Sequence, residues 1–198
     1  MLNHSDAQVT TVVLCGVGGQ GTILAADLLA RTAMAAGLQV KLSEIHGMAQ
    51  RGGAVSTIVR FGPQVSSMVA DIGCADYIIA FETTEALRNL PYLKQGGTML
   101  VNDESIKPLP VATGRAAMPA QARQKLLDLS ATLIPAGHLA RIAGSAKSTN
   151  VVLLGGLATH LCFEHASWEE IIAEQVPHKT IEGNIAAFRA GLASTEEK

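Results

Sequence analysis

The chain has 198 residues, 48% of them hydrophobic and 16% charged, and a formal net charge of −2. This balance is the opposite of that in disordered proteins, and fifteen basic against seventeen acidic residues leave no positive excess for binding nucleic acid or an anionic membrane. The length predicts a single domain over residues 1–198, since domains contain about 100–200 residues, and a chain of this size needs no disulfide or metal to fold.

The three cysteines, Cys15, Cys74 and Cys162, lie far apart in the sequence. An iron–sulfur cluster requires about four thiolates and a structural zinc site requires clustered Cys or His, so we expect neither here. A sparse, odd cysteine count also favours a reducing cytoplasm. The first residues lack a signal-peptide pattern, and the longest apolar run, Val151–Ala158, is far shorter than the about 20 residues of a membrane-spanning helix. We therefore expect a cytoplasmic protein.

The N-terminal half alternates between strand and helix patterns. Apolar runs rich in β-branched residues predict strands at Thr11–Cys15, Gln39–Glu44, Val55–Phe61, Asp76–Phe81 and Thr98–Asn102. Apolar residues at helical spacing predict helices at Thr22–Ala36 and Thr83–Leu93. We expect Gly37 to end the first helix in a left-handed conformation, Val65–Val69 to form a hairpin partner or short neighbouring strand, and Gly96-Gly97 to turn the chain into the last of these strands.

The C-terminal half is mostly helical. Its pattern predicts helices at Ala120–Leu129, His138–Ala143, Thr149–Glu164, Ser167–Gln175 and Lys179–Leu192, an edge strand at Ala131–Pro135, a crossing loop at Asp103–Pro119 and a fraying tail at Ser194–Lys198. The helix from Thr149 is apolar almost all round, which indicates burial within this chain or, less commonly, against another chain. Alternating strands and helices followed by helices predict an α/β three-layer sandwich with a mainly parallel, Rossmann-like sheet and a helical C-terminal extension.

A glycine loop follows the first strand and opens the first helix. In Gly16-x-Gly18-x-x-Gly21, Gly16 permits a tight turn and Gly18 lets the backbone approach a phosphate, which the N–H groups of the helix N-terminus then bind. Glu44, 23 residues after Gly21, lies near where an acid would bond the ribose of NAD. The chain, however, offers no persuasive hydride-transfer site and is short for a second domain. Three hypotheses stay open: a phosphate-bearing ligand, close packing without a ligand, and NAD.

A second glycine-rich segment, Glu44–Gly53, follows the second strand. The carboxyl ends of parallel strands lie at one edge of a sheet, so the two glycine segments are expected to converge. Arg51 offers donors that suit a phosphate or carboxylate, His46 titrates near neutral pH, and Gly52-Gly53 lets backbone N–H groups approach an anion. An equally weighted alternative pairs Arg51 with Glu44 or Asp71 and gives the glycines only a turn-forming role.

The two segments together, G-V-G-G-Q-G-T and S-E-I-H-G-M-A-Q-R-G-G, resemble the gamma-type domain of 2-oxoacid:ferredoxin oxidoreductases. The His-Gly-Met sequence, rather than a Tyr-Gly-Pro type, is similar to that of the family's indolepyruvate group. Further similar segments are Ala75–Glu82, Leu90–Gly97, Asn150–Gly155 and Val176–Lys179. The resemblance covers about residues 9–192.

The resemblance implies a non-catalytic subunit of an enzyme that converts a 2-oxoacid, coenzyme A and oxidised ferredoxin into an acyl-CoA, carbon dioxide and reduced ferredoxin. It places thiamine diphosphate and the iron–sulfur clusters in a larger alpha subunit, so this chain alone is expected to be inactive, and it favours indolepyruvate or another arylpyruvate as substrate. The chain would help to form the coenzyme A site. The expected site residues are Gly16, Gly18, Gly19, Gln20, Gly21 and Thr22 near phosphate or pantetheine, with His46, Gln50 and Arg51 nearer the alpha subunit.

Two other functions stay open at this point. A freestanding NAD-dependent enzyme predicts that the isolated chain binds nicotinamide. A regulatory nucleotide-binding module predicts binding without an obligate partner.

Overall fold

The computed structural model describes residues 9–46, 53–105, 111, 114 and 117–196. A six-stranded sheet lies at its centre, with the strand order β2-β3-β1-β4-β5-β6. The strands are β1 Thr10–Val17, β2 Gln39–His46, β3 Ala54–Gly62, β4 Ala75–Ala80, β5 Leu93–Asn102 and β6 Thr132–Ile134. Strands β1, β4, β5 and β6 pair in parallel, whereas β3 is antiparallel to both of its neighbours, β1 and β2. The sheet is therefore mainly parallel, as predicted, with one reversed strand inside it.

Helices cover both faces of this sheet. They are α1 Thr22–Ala35, α2 Thr83–Asn89, α3 Ala122–Asp128, α4 Ala136–Ile142, α5 Thr149–Ala158, α6 His165–Gln175 and α7 Ile181–Glu196, with single 3-10 turns at Leu90–Tyr92 and His178–Thr180. In the part of the chain that the model describes, no helix has both the length and the apolar character needed to cross a membrane.

The alternation of side chains along β1 divides the core into two clusters. Val12 and Leu14 pack on the face that carries α1 and the C-terminal helices α4–α7. Val13 and Cys15 pack on the opposite face with α2 and α3. Because each face of a buried strand needs its own cover, this arrangement is a three-layer sandwich. The predicted fold class is confirmed, and the helical C-terminal extension forms most of one layer.

Helix α5 lies in the middle of that layer, and its residues from Asn150 to Ala158 are all buried. It crosses α7 at a pair of glycines. A Cβ atom on Gly155 would overlap the carbonyl oxygen of Phe188, and one on Gly191 would overlap that of Val152. The all-round apolar character of α5 is therefore explained by burial within this chain.

The predicted strand at Val65–Val69 is wrong, since no strand occurs between β3 and β4. Side chains from the sheet hold this segment instead. The Arg60 guanidinium donates to the carbonyl oxygens of Ser67 and Val69 at 3.0 and 3.1 Å, and the Gln39 amide oxygen accepts a bond from the Val65 N–H. These bonds satisfy backbone groups that would otherwise need a neighbouring strand.

Four other predicted boundaries also need correction. The helix from Thr149 ends at Ala158 rather than Glu164, where the Thr159 hydroxyl bonds the carbonyl of Gly156. The helix from Thr83 ends at Asn89 and tightens into a 3-10 turn at Pro91. Gly96-Gly97 lies inside β5, in a stretch where the pairing with β4 shifts register. The predicted fraying tail is helical as far as Glu196. The remaining predicted strands and helices are present, with ends displaced by a few residues.

Candidate functional site

The strand order of the sheet reverses between the neighbouring strands β1 and β4. From β1 the chain continues to β2 and β3 on one side, and β4 then begins the other side. Open α/β sheets bind ligands in the crevice at such a point. Here a cleft of about 460 Å³ lies at this position, and its lining includes Gly19, Gln20, Phe81, Glu104, Lys147 and Thr149.

The loop after β1 is closed by its own side chain. The Gln20 amide oxygen accepts a bond from the Val17 N–H at 2.6 Å, and the Gln20 N–H donates to the Val17 carbonyl at 3.1 Å. Gly19 has φ +101°, and no atom lies within 4 Å of the position that its Cβ would occupy. Gly19 therefore has open space beside it, and its backbone lines the cleft.

Two other glycines of the loop are required by packing. A Cβ on Gly16 would lie 2.6 Å from the Gln20 amide oxygen and 2.9 Å from the Phe81 Cβ. Gly21 has φ +81° and precedes the first residue of α1, and its Cβ would lie 2.8 Å from the Asn150 amide nitrogen. The packing hypothesis thus accounts for Gly16 and Gly21 whether or not a ligand binds.

The two glycine segments meet, as expected. The Gly18 N–H donates to the Gly53 carbonyl at 2.9 Å, and the backbone of His46 pairs with Val55 at the top of the β2–β3 hairpin. The Gly18 N–H is thereby used within the protein. Thr22 is buried as the first residue of α1. Gln50 and Arg51 lie outside the described residues.

The reversed strand β3 separates Glu44 from the glycine loop. In a dinucleotide-binding fold the acidic residue ends the strand next to β1. Here β3 occupies that place and β2 lies one strand further out, so Glu44 lies two strand spacings from β1, about 10 Å, rather than one. This geometry removes the ribose contact on which the NAD hypothesis depended.

Two helix N-termini and a lysine face the cleft. Neither α1 nor α5 has an acidic residue in its first turn or a side-chain cap, so the positive ends of both helix dipoles are uncompensated within the helices. The exposed Lys147 comes just before Ser148, which precedes α5, and it forms no ion pair with any residue that the model describes. Apart from Glu104, the charges of this cleft favour an anion.

Asn102 fixes the far wall of the cleft. Its amide nitrogen donates to the Phe81 carbonyl and to the Glu104 carboxylate, both at 3.2 Å, and its oxygen accepts a bond from the Ala136 N–H. Sequence reasoning missed Asn102, Glu104, Lys147 and Thr149. A signal existed for Asn102, the polar residue that ends a buried strand, but the turn containing Lys147 comes near the loop only through the packing of α5.

Buried acids lie beside the cleft, at the start of α2. Burial raises the pKa of Glu85, Arg88 opposes that shift, and the neighbouring Glu82 adds to it. Burial, followed by the charges of Glu85 and Glu82, also raises the pKa of the Cys15 thiol well above its ordinary value. Cys15 therefore stays protonated and packs as a small apolar side chain.

The comparison with protein families decides between the open hypotheses. Residues 11–194 match the model of the pyruvate ferredoxin/flavodoxin oxidoreductase family. The chain belongs to this family. The match confirms the resemblance noted in the sequence and the expectation of an oxidoreductase subunit, and it disfavours both a freestanding NAD enzyme and a regulatory module.

The relatives that the chain matches are small subunits of 2-oxoacid oxidoreductases. The chain is 40% identical to indolepyruvate oxidoreductase subunit IorB of Thermococcus kodakarensis over 94% of its own length and 96% of that protein. It is 39% identical to the subunit of the same name from Pyrococcus horikoshii, with the same two coverages. A 2-oxoglutarate synthase subunit, KorC of Methanothermobacter marburgensis, is 29% identical over 90% of this chain and 92% of that protein.

Solved structures of other oxidoreductases share the fold. The gamma subunit of a keto/oxoacid ferredoxin oxidoreductase from Geobacter sulfurreducens superimposes with a TM-score of 0.71 at 23% identity, over 96% of this chain and 99% of that one. The 2-oxoglutarate:ferredoxin oxidoreductase of Magnetococcus marinus, solved with 2-oxoglutarate, coenzyme A and succinyl-CoA, superimposes with a TM-score of 0.73 at 20% identity. The match covers 96% of this chain and 32% of that longer one.

The cysteines of this family member do not fit an iron–sulfur cluster. Cys15 is buried, Cys74 is half-buried and Cys162 is exposed, and all three are free thiols. Among the described residues, no group of three His, Cys, Asp or Glu side chains is placed to hold a metal ion.

Proposed function

We propose that this chain is the small, non-catalytic subunit of an indolepyruvate or arylpyruvate:ferredoxin oxidoreductase, and that it is inactive alone. The identity of 40% to a subunit of that name, over nearly the whole length of both chains, is the observation that carries the proposal. The 2-oxoglutarate synthase subunits are more distant, at 28–29% identity, and this favours the aromatic substrate. In this proposal residues 9–192 form a single domain, and the three free thiols fit a reducing cytoplasm.

The cofactors of the reaction belong, in this proposal, to a larger alpha subunit. Thiamine diphosphate bound there would supply the decarboxylation, and iron–sulfur clusters would carry the electrons to ferredoxin. One iron–sulfur cluster needs about four cysteine thiolates, and this chain has three cysteines. The Magnetococcus structure, in which the matched region is 32% of the chain, supports a unit that works as part of a larger assembly.

The contribution of this chain to the reaction is a site for coenzyme A. That substrate carries a pyrophosphate and a 3′-phosphate, and the cleft combines two helix N-termini with Lys147, an arrangement that suits phosphate. We place Gly16, Gly18, Gly19, Gln20, Gly21 and Thr22 at the phosphate or pantetheine, with Gly19 supplying the closest backbone approach. His46, Gln50 and Arg51 are proposed to lie nearer the alpha subunit and the active centre.

The test is an anaerobic assay of viologen reduction with the large subunit, measured with and without this chain. Indolepyruvate should support coenzyme A-dependent reduction only when both chains are present, and pyruvate and 2-oxoglutarate should be poorer substrates. Full activity of the large subunit alone would refute the proposed role. A preference for 2-oxoglutarate would refute the proposed substrate and leave the subunit role intact.

A further inference from the structure

Asn150 connects two segments that are 129 residues apart in the sequence. It is the second residue of α5 and is buried, with 3% of its surface exposed. Its amide nitrogen donates to the Gly21 carbonyl oxygen at 3.2 Å. The same nitrogen would lie 2.8 Å from a Cβ on Gly21, so the amide occupies the space that a side chain at position 21 would need.

This contact joins two walls of the cleft, the glycine loop and the turn before α5. Gly21 immediately precedes α1, and its carbonyl also accepts the Ala25 N–H at 3.0 Å. Gly19 and Gln20 precede Gly21 on one wall, and Lys147 and Thr149 precede Asn150 on the other. Over the residues that the model places, no other hydrogen bond links these two walls.

We infer that Asn150 is a positioning residue for the anion site, which sets the spacing between the N-termini of α1 and α5. This inference rests on the proposed coenzyme A site. Two dipole ends act on one anion only if both lie within a few ångströms of it, since the field of a helix end falls off within about a turn. Asn150 does not touch the ligand in this account; it holds the loop and the lysine-bearing turn at the separation that the phosphates require.

The first test replaces Asn150 in the complex with the large subunit. Asn150→Asp keeps the size of the side chain and lies in the first turn of α5, where a carboxylate is tolerated, but it turns the donor to Gly21 into an acceptor. We expect the KM for coenzyme A to rise about tenfold or more, because small misplacements of binding groups are costly. The KM for indolepyruvate should stay within about twofold. Asn150→Ala should likewise raise the KM for coenzyme A and leave the KM for indolepyruvate within about twofold.

Asn89→Ala is the matched control. Asn89 is a buried asparagine, 4% exposed, whose amide donates to the Glu85 carbonyl at 2.9 Å on the opposite face of the sheet. Its loss should lower thermal stability as much as Asn150→Ala does, with the KM for coenzyme A unchanged. Equal changes of that KM in both variants would mean that Asn150 has only a structural role and would overturn the inference.

A second test uses the close approach of Asn150 to Gly21. Gly21→Ala forces a Cβ against the Asn150 amide and should also raise the KM for coenzyme A. If both changes act through one contact, Gly21→Ala combined with Asn150→Ala should cost little more than the worse single change. If instead the two increases in the KM for coenzyme A multiply in the double variant, the two changes do not act through one contact.

Hydrogen exchange separates failure of this inference from failure of the proposed function. Asn150→Asp should speed amide exchange in residues 19–24 of the complex, whatever ligand binds there. Unchanged exchange, or faster exchange with an unchanged KM for coenzyme A, would overturn the positioning role while the proposed function stands. A wild-type complex that does not depend on coenzyme A would refute the proposed function and, with it, the ligand of this inference.

Discussion

Lys147 is the residue whose charge most needs an explanation. A lysine before the N-terminus of a helix faces the positive end of the helix dipole, where an acid would be favourable, and Lys147 has no ion-pair partner in the described part of the chain. An anionic ligand compensates both charges. The arrangement is unfavourable for the empty protein and favourable for one that binds phosphate.

The first prediction concerns this lysine. Lys147→Met should raise the KM for coenzyme A about tenfold, because a hydrogen bond to a charged group contributes about 1.5–3 kcal/mol and part of it is screened at an open cleft. The turnover number should change little. Steady-state kinetics of the complex measures both constants. Lys94→Met is the control, since Lys94 lies at the amino end of β5 and so at the opposite edge of the sheet from the cleft. An equal effect there would refute a specific phosphate contact.

The second prediction concerns pH. Burial raises the pKa of Glu85 from its ordinary 4.5; Arg88 lowers it in part, and Glu82 raises it further. The folded chain therefore keeps the Glu85 carboxyl protonated at pH values where the unfolded chain has lost that proton. Stability therefore falls as pH rises from about 4.5 through the raised pKa. Glu85→Gln removes the buried charge, so it should stabilise the chain more at pH 8 than near pH 4.5, as measured by urea unfolding.

Glu169→Gln is the control, because the pKa of Glu169 is lowered where that of Glu85 is raised. A hydrogen bond from Arg189 lowers the pKa of Glu169, so this carboxylate stabilises the folded chain above the ordinary pKa and loses that effect as pH falls through the lowered one. The variant should be less stable than the wild type at pH 8, and the difference should shrink in acid. The same pH dependence in both variants would contradict the assignment.

At the scale of elements, the α5–α7 crossing holds the C-terminal layer together. The two helices approach so closely that the backbone of each fills the space beside the other's glycine, Gly155 or Gly191. Lys147 and Asn150 belong to the turn and helix that this crossing places against the glycine loop. The proposed anion site is therefore built by helix packing as well as by the loop.

The third prediction tests that crossing. Gly191→Ala should lower the free energy of unfolding by about 2–3 kcal/mol, because the new Cβ overlaps the carbonyl of Val152 and overpacking of this kind costs about 1–3 kcal/mol. Gly183→Ala in the same helix is the control. Its Cβ would lie 3.0 Å from the Ser145 Cβ, a tight contact that the better helix propensity of alanine offsets. Equal losses in a denaturant titration would contradict the close crossing.

The elements also show what sequence patterns can and cannot predict. The loop from Gly16 to Gly21 and the helix after it were predicted correctly because glycine conformation and helical spacing are local properties. The antiparallel direction of β3 was not predicted, since the apolar pattern of a strand is the same in either direction. The segment after β3 was mistaken for a strand because Val65 and Val69 favour strands. The bonds that replace strand pairing come from the side chains of Arg60 and Gln39, which lie outside the segment and do not show in its apolar pattern. For the same reason Lys147 gave no signal as a site residue.

At the scale of the whole molecule, one reversed strand separates this fold from a dinucleotide-binding protein. The β2–β3 hairpin moves Glu44 away from the glycine loop and brings Gly53 to it. The crevice at the switch point is kept, and its charge is supplied by α5 and Lys147. The scaffold thus keeps the position at which we propose that phosphate binds, without the residue that would recognise the ribose of NAD.

The central claim is that this chain works only with a larger cofactor-bearing subunit. Its most direct test is anaerobic affinity purification of the tagged chain from the cells that make it, followed by mass spectrometry and by assays for iron, thiamine diphosphate and coenzyme A-dependent oxidation of indolepyruvate. The account predicts recovery of a second, larger chain together with both cofactors and the activity. Recovery of the chain alone, binding NAD and lacking any such partner, would contradict it.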